Sequence, residues 1–384
     1  MGEAIFRSEK MNHGSQRNAS LDILRILCMF LIVLGHSIYH GNVLNALNAN
    51  GMNYVLITVI YTFLMVHVNC FVLISGYFLC MHKFRLEKAI SLWVQAFFWS
   101  VLLYVLFSSF GVIPFEIKGI IKALLPFTQQ RYWFVTSYLL MYFLVPFLNA
   151  AIHAMTRKQY AVFLATFFIV YIALQNLVYW REFTSVNSSN PLFFAFLYMA
   201  AAYIRLYPPR RKHHWLLLYT LTCTFVVIWK LAITQITTSI FGNAIGTSAF
   251  SAYNSITMVL ASVFLFCFFE GLSVPGNRVQ LPASTVSSLT FGVYLIHDNP
   301  EARSFIWKGL LRPDRFAQSP MLVPVLFGMA ILVFSGSAVL ELVRQKLFSV
   351  LSIDKLVAAW SEKTTHCIWW ITNRVFDNEG KSDD

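Results

Sequence analysis

The chain has 384 residues, of which 58% are hydrophobic and only 12% are charged. Soluble domains carry about 25% charged residues, so the composition excludes a water-soluble protein of this size. The formal net charge of +12 does not indicate a nucleic-acid partner, because the Lys and Arg residues lie in short loops between apolar runs and fit the positive-inside rule. The composition therefore predicts a protein embedded in a lipid bilayer.

Apolar segments of about 20 residues are candidate membrane-spanning helices. They occur at residues 21–40, 54–80, 88–112, 132–152, 160–179, 191–207, 214–236, 251–270, 284–299 and 320–342. We therefore expect an all-α, polytopic membrane protein with about ten transmembrane helices. The expected organisation is an N-terminal tail at 1–20, a transmembrane domain at 21–345 and a C-terminal tail at 346–384. No cleaved signal peptide is expected, because the first apolar run is long and has no small-residue cleavage site.

The charges of the loops predict the orientation. With the N-terminus taken as cytoplasmic, the loops on the cytoplasmic side hold several basic clusters. These are Lys83, Arg85 and Lys88; Arg157 and Lys158; Arg205, Arg210, Arg211 and Lys212; Arg278; and Arg344 and Lys346. The outer loops at 41–53 and 237–250 carry no charge. Two other outer loops, which contain residues 116–131 and 298–319, are of mixed charge. The alternation holds in most loops and predicts that both termini are cytoplasmic.

Two further features have simple interpretations. The stretch Ile117–Phe127 is too short to cross a membrane, and its charges at helical spacing predict an amphipathic helix on the outer face. The six cysteines show no CxxC spacing and mostly lie within apolar runs, which is typical of small buried hydrophobic residues. We expect no metal site.

The first apolar segment carries the most informative polar residues. Arg25 and His36 are eleven residues apart, just over three helical turns, so they project from nearly the same face about 16 Å apart along the axis. Asp22 lies on that face, one turn before Arg25. Charged and ionisable residues at membrane depth usually face a wet cavity or a partner. In the simpler alternative, Arg25 reaches the inner headgroups while it pairs with Asp22, and His36 only makes a hydrogen bond inside the bundle.

Other polar residues occur in later apolar segments. His297 ends the ninth segment on the same side as His36, where a helix cap or interface role is the plainer interpretation. His67 and Asn69 lie at mid-membrane in the second segment, and Ser75-Gly76 allows a close backbone approach or a kink. Arg131-Tyr132-Trp133-Phe134 begins the fourth segment and fits an interfacial aromatic belt.

The sequence has no GxSxG, Walker A, HExxH or Cys/His metal motif. Acyl transfer within a membrane can proceed without these motifs. It needs a base for the acceptor hydroxyl, which a neutral imidazole supplies, and cations for the phosphates of coenzyme A. His36 suits the first need, and Arg25 with the basic loops suits the second.

Several motifs together resemble bacterial membrane acyltransferase family 3. The segment Leu21-Asp-Ile-Leu-Arg25 to Leu34-Gly-His36 is similar to the family's first-helix signature. Ile74-Ser-Gly-Tyr-Phe-Leu79, Tyr132-Trp133-Phe134 and Phe291-Gly-Val-Tyr-Leu-Ile-His297 resemble its later motifs, in the same order. The resemblance covers residues 20–345.

The resemblance implies a ten-helix acyltransferase of the bacterial cytoplasmic membrane that uses cytoplasmic acyl-CoA to acylate envelope glycans or exopolysaccharide. Carried over by position, Arg25 and His36 would be the essential pair. Arg85 would begin the family's Arg-x-x-Arg motif, but Lys88 stands at the second position and lacks the bidentate fork of arginine. Some members add an extracytoplasmic esterase-like domain; this chain lacks it, so we expect a stand-alone enzyme.

The resulting hypothesis is an O-acyltransferase, with acetyl-CoA as the expected cosubstrate and a cell-surface polysaccharide or lipid-linked glycan as the acceptor. Arg25, Arg85 and Lys88 would bind the acyl-CoA phosphates, His36 would act as base or carry the acyl group, and His297 would help to position the acceptor. Two alternatives stay open. One is a transporter or flippase of a glycan intermediate, and the other is transfer of succinyl, for which Arg131 and Arg303 are candidate carboxylate partners.

Overall fold

A computed structural model describes residues 18–49, 51–129, 131–177, 189–209, 214–247, 250–274 and 277–365. Within these residues the chain is helical, with no β-strand. The α-helices are α1 Ala19–Tyr39, α2 Val43–Ala46, α3 Met52–Leu64, α4 His67–Leu79, α5 Leu86–Ser109, α6 Ile117–Leu124, α7 Trp133–Ala154, α8 Arg157–Phe168, α9 Pro191–Leu206, α10 Trp215–Phe241, α11 Ile256–Glu270, α12 Asn277–His297, α13 Pro300–Ser304 and α14 Leu322–Val350. A π-helical segment, Ile169–Ala173, and one further turn follow α8.

The prediction of a polytopic, all-α membrane protein is confirmed. Among the described residues, seven helical stretches are long and apolar enough to cross a membrane, with α3 and α4 together forming one of them. Two shorter apolar helices, α9 and α11, accompany them. The count of ten spans and the cytoplasmic termini stay predictions.

Helix α1 lies in the centre of the bundle. It begins at Asn18, whose side chain accepts a hydrogen bond from the backbone of Ser20, and an N-cap of this kind satisfies one of the first unpaired backbone N–H groups. The helix packs against α3, α4, α11, α12 and α14. Because polar side chains on such a helix face protein rather than lipid, its Arg and His residues contact other helices.

The second predicted segment contains a break. Helices α3 and α4 are separated by Met65 and Val66, which stay in the right-handed region with ψ of −2° and −14°. The break therefore changes the local hydrogen bonds without reversing the chain, and the two helices together form one stretch long and apolar enough to cross a membrane.

Helix α4 packs unusually close to α9. A Cβ atom at Gly76 would lie 2.4 Å from the backbone oxygen of Tyr198, so only glycine permits this distance between the two helices. Of the two roles predicted for Ser75-Gly76, the structure shows the close backbone approach.

Helix α6 lies where the short amphipathic helix is predicted, and its location at the membrane surface stays a prediction. The tail includes a helical segment at 353–365 after α14. The five described cysteines, Cys28, Cys70, Cys80, Cys223 and Cys267, are buried and free, as predicted. Cys367 and the loop cations Arg210, Arg211 and Lys212 lie outside the described residues.

Candidate functional site

Two cavities lie along the same face of α1, one near each end. The histidine cavity has a volume of about 490 Å³ and includes His36, His40, Asp298 and Arg303 in its lining. The arginine cavity has a volume of about 670 Å³. Its polar lining residues include Asp22, Arg25, Arg85, Lys88 and Ser287. Both volumes fall in the range of small-molecule sites, roughly 300–1,000 Å³.

Three hydrogen bonds join Arg25, Asp22 and Ser287 to one another in the arginine cavity. Its Nη1 donates to Asp22 Oδ1 over 2.9 Å and to Ser287 Oγ over 2.8 Å. The Ser287 hydroxyl donates to the same Asp22 oxygen over 2.8 Å. The pairing with Asp22 that the sequence predicts is therefore present, but Arg25 faces a cavity inside the bundle and joins α1 to α12.

The other two predicted cations line the same cavity from the start of α5. Arg85 has an exposed side chain that pairs with Glu87. The Tyr142 hydroxyl accepts from the Arg85 backbone N–H and donates to its carbonyl, which fixes the backbone where α5 begins. Lys88 lies one turn further along α5 and also lines the cavity. The structure thus brings Arg25, Arg85 and Lys88 together.

The two predicted histidines contact each other in the histidine cavity. Nδ1 of His36 lies 3.0 Å from Nε2 of His297, and Nδ1 of His297 lies 2.6 Å from the carbonyl oxygen of Val293. Because a carbonyl only accepts, Nδ1 of His297 carries the hydrogen. With both rings neutral, Nε2 of His297 then accepts from His36 Nδ1–H, and His36 Nε2 keeps its lone pair.

Three further residues, Asp298, His40 and Arg303, lie beside His36, and of these only Arg303 was predicted, as a partner for a succinyl carboxylate. Asp298 is buried, and its Oδ1 lies 3.5 Å from His36 Nδ1 and 3.7 Å from His40 Nε2. Arg303 donates to the same oxygen over 3.2 Å. The sequence held a signal for two of them, since Asp298 directly follows His297 and His40 is one turn after His36.

The same residues include a possible metal-binding group. His36, His40 and Asp298 each offer one ligand atom, and these atoms lie within 4.8 Å of one another. The guanidinium of Arg303 already occupies the Asp298 carboxylate, and its positive charge opposes a cation there. Asp298 is therefore better suited to binding Arg303 and His36 than to binding a metal ion.

His67 forms part of the inner wall of the histidine cavity. It is 3% exposed, its ring lies 5.5 Å from that of Tyr253, and its Nδ1 has no hydrogen-bond partner within the described part of the chain. Asn69 faces the same loop and donates to the Tyr253 carbonyl over 2.8 Å. Asn69 therefore ties α4 to the loop at Tyr253, whose side chain lines the same cavity as His67.

Arg131 lies apart from both cavities. Its buried side chain pairs with Glu301. The neighbouring Tyr132 donates to the Leu295 carbonyl over 3.0 Å and accepts from Asn299. Of the two cations considered for a succinyl carboxylate, only Arg303 lines the histidine cavity.

The contacts between α1 and α12 show the relative direction of these two helices. Arg25 contacts Ser287 at one end, and His36 contacts His297 at the other. The paired residues are eleven apart on α1 and ten apart on α12, about 16 Å and 15 Å of helix. The two helices are therefore parallel and side by side, and both contribute residues to each cavity.

Known protein families allow this architecture to be identified. Comparison with curated proteins and with solved structures found no match. The family model Acyl_transf_3, described as an acyltransferase domain, matches residues 18–341, which include α1, α12 and both cavities. The chain therefore belongs to acyltransferase family 3.

Proposed function

We propose that the protein transfers an acyl group, in the first place acetyl, from cytoplasmic acyl-CoA to a hydroxyl of a cell-surface polysaccharide or lipid-linked glycan in the bacterial cytoplasmic membrane. The observation that carries the proposal is the hydrogen bond between His36 and His297. It leaves Nε2 of His36 as a basic nitrogen beside a cavity of about 490 Å³, as general-base catalysis requires.

The arginine cavity supports the acyl-donor half of the reaction. Coenzyme A carries several phosphates, and phosphate binds best to guanidinium and ammonium groups. Arg25, Arg85 and Lys88 contribute such groups to one cavity. The orientation predicted from loop charge puts this cavity on the cytoplasmic side, where acyl-CoA is made.

The proposed reaction balances without any further reactant. Nε2 of His36 removes the proton from the acceptor hydroxyl, and the oxygen attacks the thioester carbonyl. The tetrahedral intermediate collapses with cleavage of the C–S bond, and the coenzyme A thiolate takes the proton from His36. During transfer His36 is briefly cationic, and the Asp298 carboxylate, 3.5 Å away, stabilises that charge.

An acyl-histidine relay uses the same groups in a different order. There His36 Nε2 attacks the thioester, coenzyme A leaves, and the glycan hydroxyl then attacks the acyl-imidazole. Release of coenzyme A before the acceptor is added would favour the relay. Strict dependence of that release on the acceptor would favour direct transfer.

The acyl group is proposed as acetyl, with succinyl as the alternative. A succinyl group adds a carboxylate, which needs a cation in the histidine cavity. Arg303 lines that cavity but already pairs with Asp298 over 3.2 Å. A small neutral acyl group leaves this ion pair intact, and this favours acetyl.

The test is acyl transfer by purified protein in nanodiscs. Radiolabelled acetyl-CoA and succinyl-CoA are each supplied with a panel of lipid-linked and polymeric glycans, and label on the glycan and free coenzyme A are measured. We expect label on a glycan with wild type and none with His36→Ala. His153→Ala is the matched control, since His153 contacts the Cys80 carbonyl and lines neither cavity.

Two results would contradict the proposed function. Full transfer by His36→Ala would refute the role of this histidine. If folded wild-type protein releases no coenzyme A with any acyl donor or glycan, a transporter or flippase of a glycan intermediate becomes the better interpretation.

A further inference from the structure

The histidine cavity and the arginine cavity approach each other along four helices. On each helix their nearest lining residues are about one turn apart. On α1 the histidine cavity ends at Met29 and the arginine cavity at Arg25. On α4 the corresponding residues are Phe71 and Ile74. A separation of three or four residues is about 5–6 Å along a helix axis, so only a thin layer divides the cavities.

The other two helices repeat the pattern. On α7 the residues are Phe134 and Tyr138, and on α12 they are Phe291 and Ser288. The layer on the histidine side is thus entirely apolar, with Met29, Phe71, Phe134 and Phe291. The layer on the arginine side is mostly polar, with Ile74 as its apolar member. Within it the Tyr138 hydroxyl donates to Ser75 Oγ over 3.2 Å.

We propose that Met29, Phe71, Phe134 and Phe291 form an apolar gate between the cavities, and that its width sets the size of acyl group the protein transfers. The proposal rests on the proposed function, because a donor bound by its phosphates on the arginine side must reach His36 through this layer. An apolar constriction of this kind excludes water and ions when closed. It therefore separates the two sides of the membrane between turnovers.

The side chains, rather than the helices, are suited to open the gate. Helix α4 is held against α9 by the close approach at Gly76. Helices α1 and α12 are tied at both ends by the Arg25 and His36 contacts. Met29 is unbranched with three rotatable bonds and adapts its shape easily, so it is the natural moving part.

The aromatic residues Phe71 and Phe134 form the fixed side of the gate. The rings of Phe71 and Phe134 meet edge to face with centroids 6.3 Å apart. Phe134 also stacks on Tyr138 at 5.9 Å, which links the apolar and polar layers. Replacing Met29 by a larger residue should close the gate, and trimming Met29 with Phe134 should widen it.

The first experiment measures acyl-chain selection by the full-length protein in nanodiscs. We expect Met29→Trp to lower acetyl transfer about tenfold or more, with coenzyme A binding unchanged. Leu31→Trp is the matched control, because Leu31 is on the same helix and lines neither cavity. In the double variant Met29→Ala and Phe134→Leu, the hexanoyl-to-acetyl transfer ratio should rise about tenfold.

The second experiment does not depend on catalysis. Met65→Cys adds a thiol in the histidine cavity, and sealed vesicles of known orientation are treated with a membrane-impermeant thiosulfonate from either side. Labelling above that of protein without the added cysteine should occur only from the His36 side. With Met29→Ala and Phe134→Leu it should occur from both sides.

The outcomes separate the two proposals. Absence of coenzyme A release by wild type would refute the proposed function, and the labelling would still test the gate. Labelling of the widened variant from the His36 side alone, or wild-type acetyl transfer by Met29→Trp, would overturn the gate.

Discussion

Nδ1 of His36 and Nε2 of His297 lie 3.0 Å apart although the two residues are 261 positions apart in the chain. The Val293 carbonyl fixes which nitrogen of His297 carries the hydrogen, and this in turn fixes the tautomer of His36. A neutral His36 is thus set with its Nε2 as the basic atom before any substrate binds. The contact is therefore a positioning device as well as a link between α1 and α12.

Loss of His297 should lower turnover more than substrate binding. We expect His297→Ala to reduce kcat about 100-fold, with KM for the acyl donor nearly unchanged. His297→Gln should retain much more activity, because its side-chain carbonyl accepts from His36 Nδ1–H. Equal loss in both variants would indicate a purely structural role for His297, and kcat and KM measured for all three proteins decide this.

The geometry around Arg25 makes lysine a poor replacement. Arg25→Lys keeps the charge but loses the planar guanidinium that binds phosphate in a bidentate way and whose Nη1 donates to both Asp22 and Ser287. KM for acyl-CoA should rise about tenfold, which corresponds to about 1.4 kcal/mol. Ser287→Ala removes the hydrogen bonds of Ser287 to Arg25 and Asp22 but leaves the guanidinium in place, so KM should rise less than in Arg25→Lys. An unchanged KM in Arg25→Lys would contradict the proposed phosphate contact.

Gly76 should tolerate no side chain. A Cβ at this position meets the backbone of Tyr198 at 2.4 Å, so Gly76→Ala forces α4 and α9 apart and should destabilise the fold by about 1–3 kcal/mol. Gly328→Ala is the control, because a Cβ there meets nothing within 4 Å. That change should be neutral or stabilise the helix by about 0.5–1 kcal/mol. Thermal unfolding in detergent measures both, and equal melting temperatures would refute the close approach.

Glu341 is a buried carboxylate whose neighbours all donate to it. It is 0% exposed, and it accepts from Arg344, Trp99 and Gln95. Glu341→Leu leaves the Arg344 charge without its partner and should cost about 3–5 kcal/mol of stability. Glu341→Gln keeps one acceptor oxygen and should cost less. Thermal unfolding of the two variants measures the difference, and a Leu variant as stable as wild type would show that the charge is compensated elsewhere.

Much of the candidate site could be predicted from local patterns. The eleven-residue spacing of Arg25 and His36 predicts one helix face with two polar ends, and both residues line cavities on that face. Helical periodicity carries such information because it acts within a single element. The family resemblance, which rested on the order of several short motifs, is confirmed by the match over residues 18–341.

Other features of the protein could not be predicted from the sequence, because they depend on which helices contact each other. The role of Glu341 is not visible in the sequence, since it depends on Trp99 from a distant segment. The sequence places Asp298 beside His297, but its contact with His36 depends on the packing of α1 and α12. The break at Met65 and Val66 contains neither Gly nor Pro, so no local signal marks it.

The amino-acid sequence by itself determined that the protein lies in a lipid bilayer, that its fold is all-α and that its first helix has a polar face. Hydropathy and periodicity carry this information because they are local properties of the chain. Only the tertiary structure decided that His36 meets His297, that three cations share one cavity, and that four apolar residues separate the two cavities. These relationships depend on side-by-side packing of helices such as α1 and α12, which lie more than 200 residues apart in the chain. Helix pairing arises from the fit of whole surfaces, and no single segment contains that information.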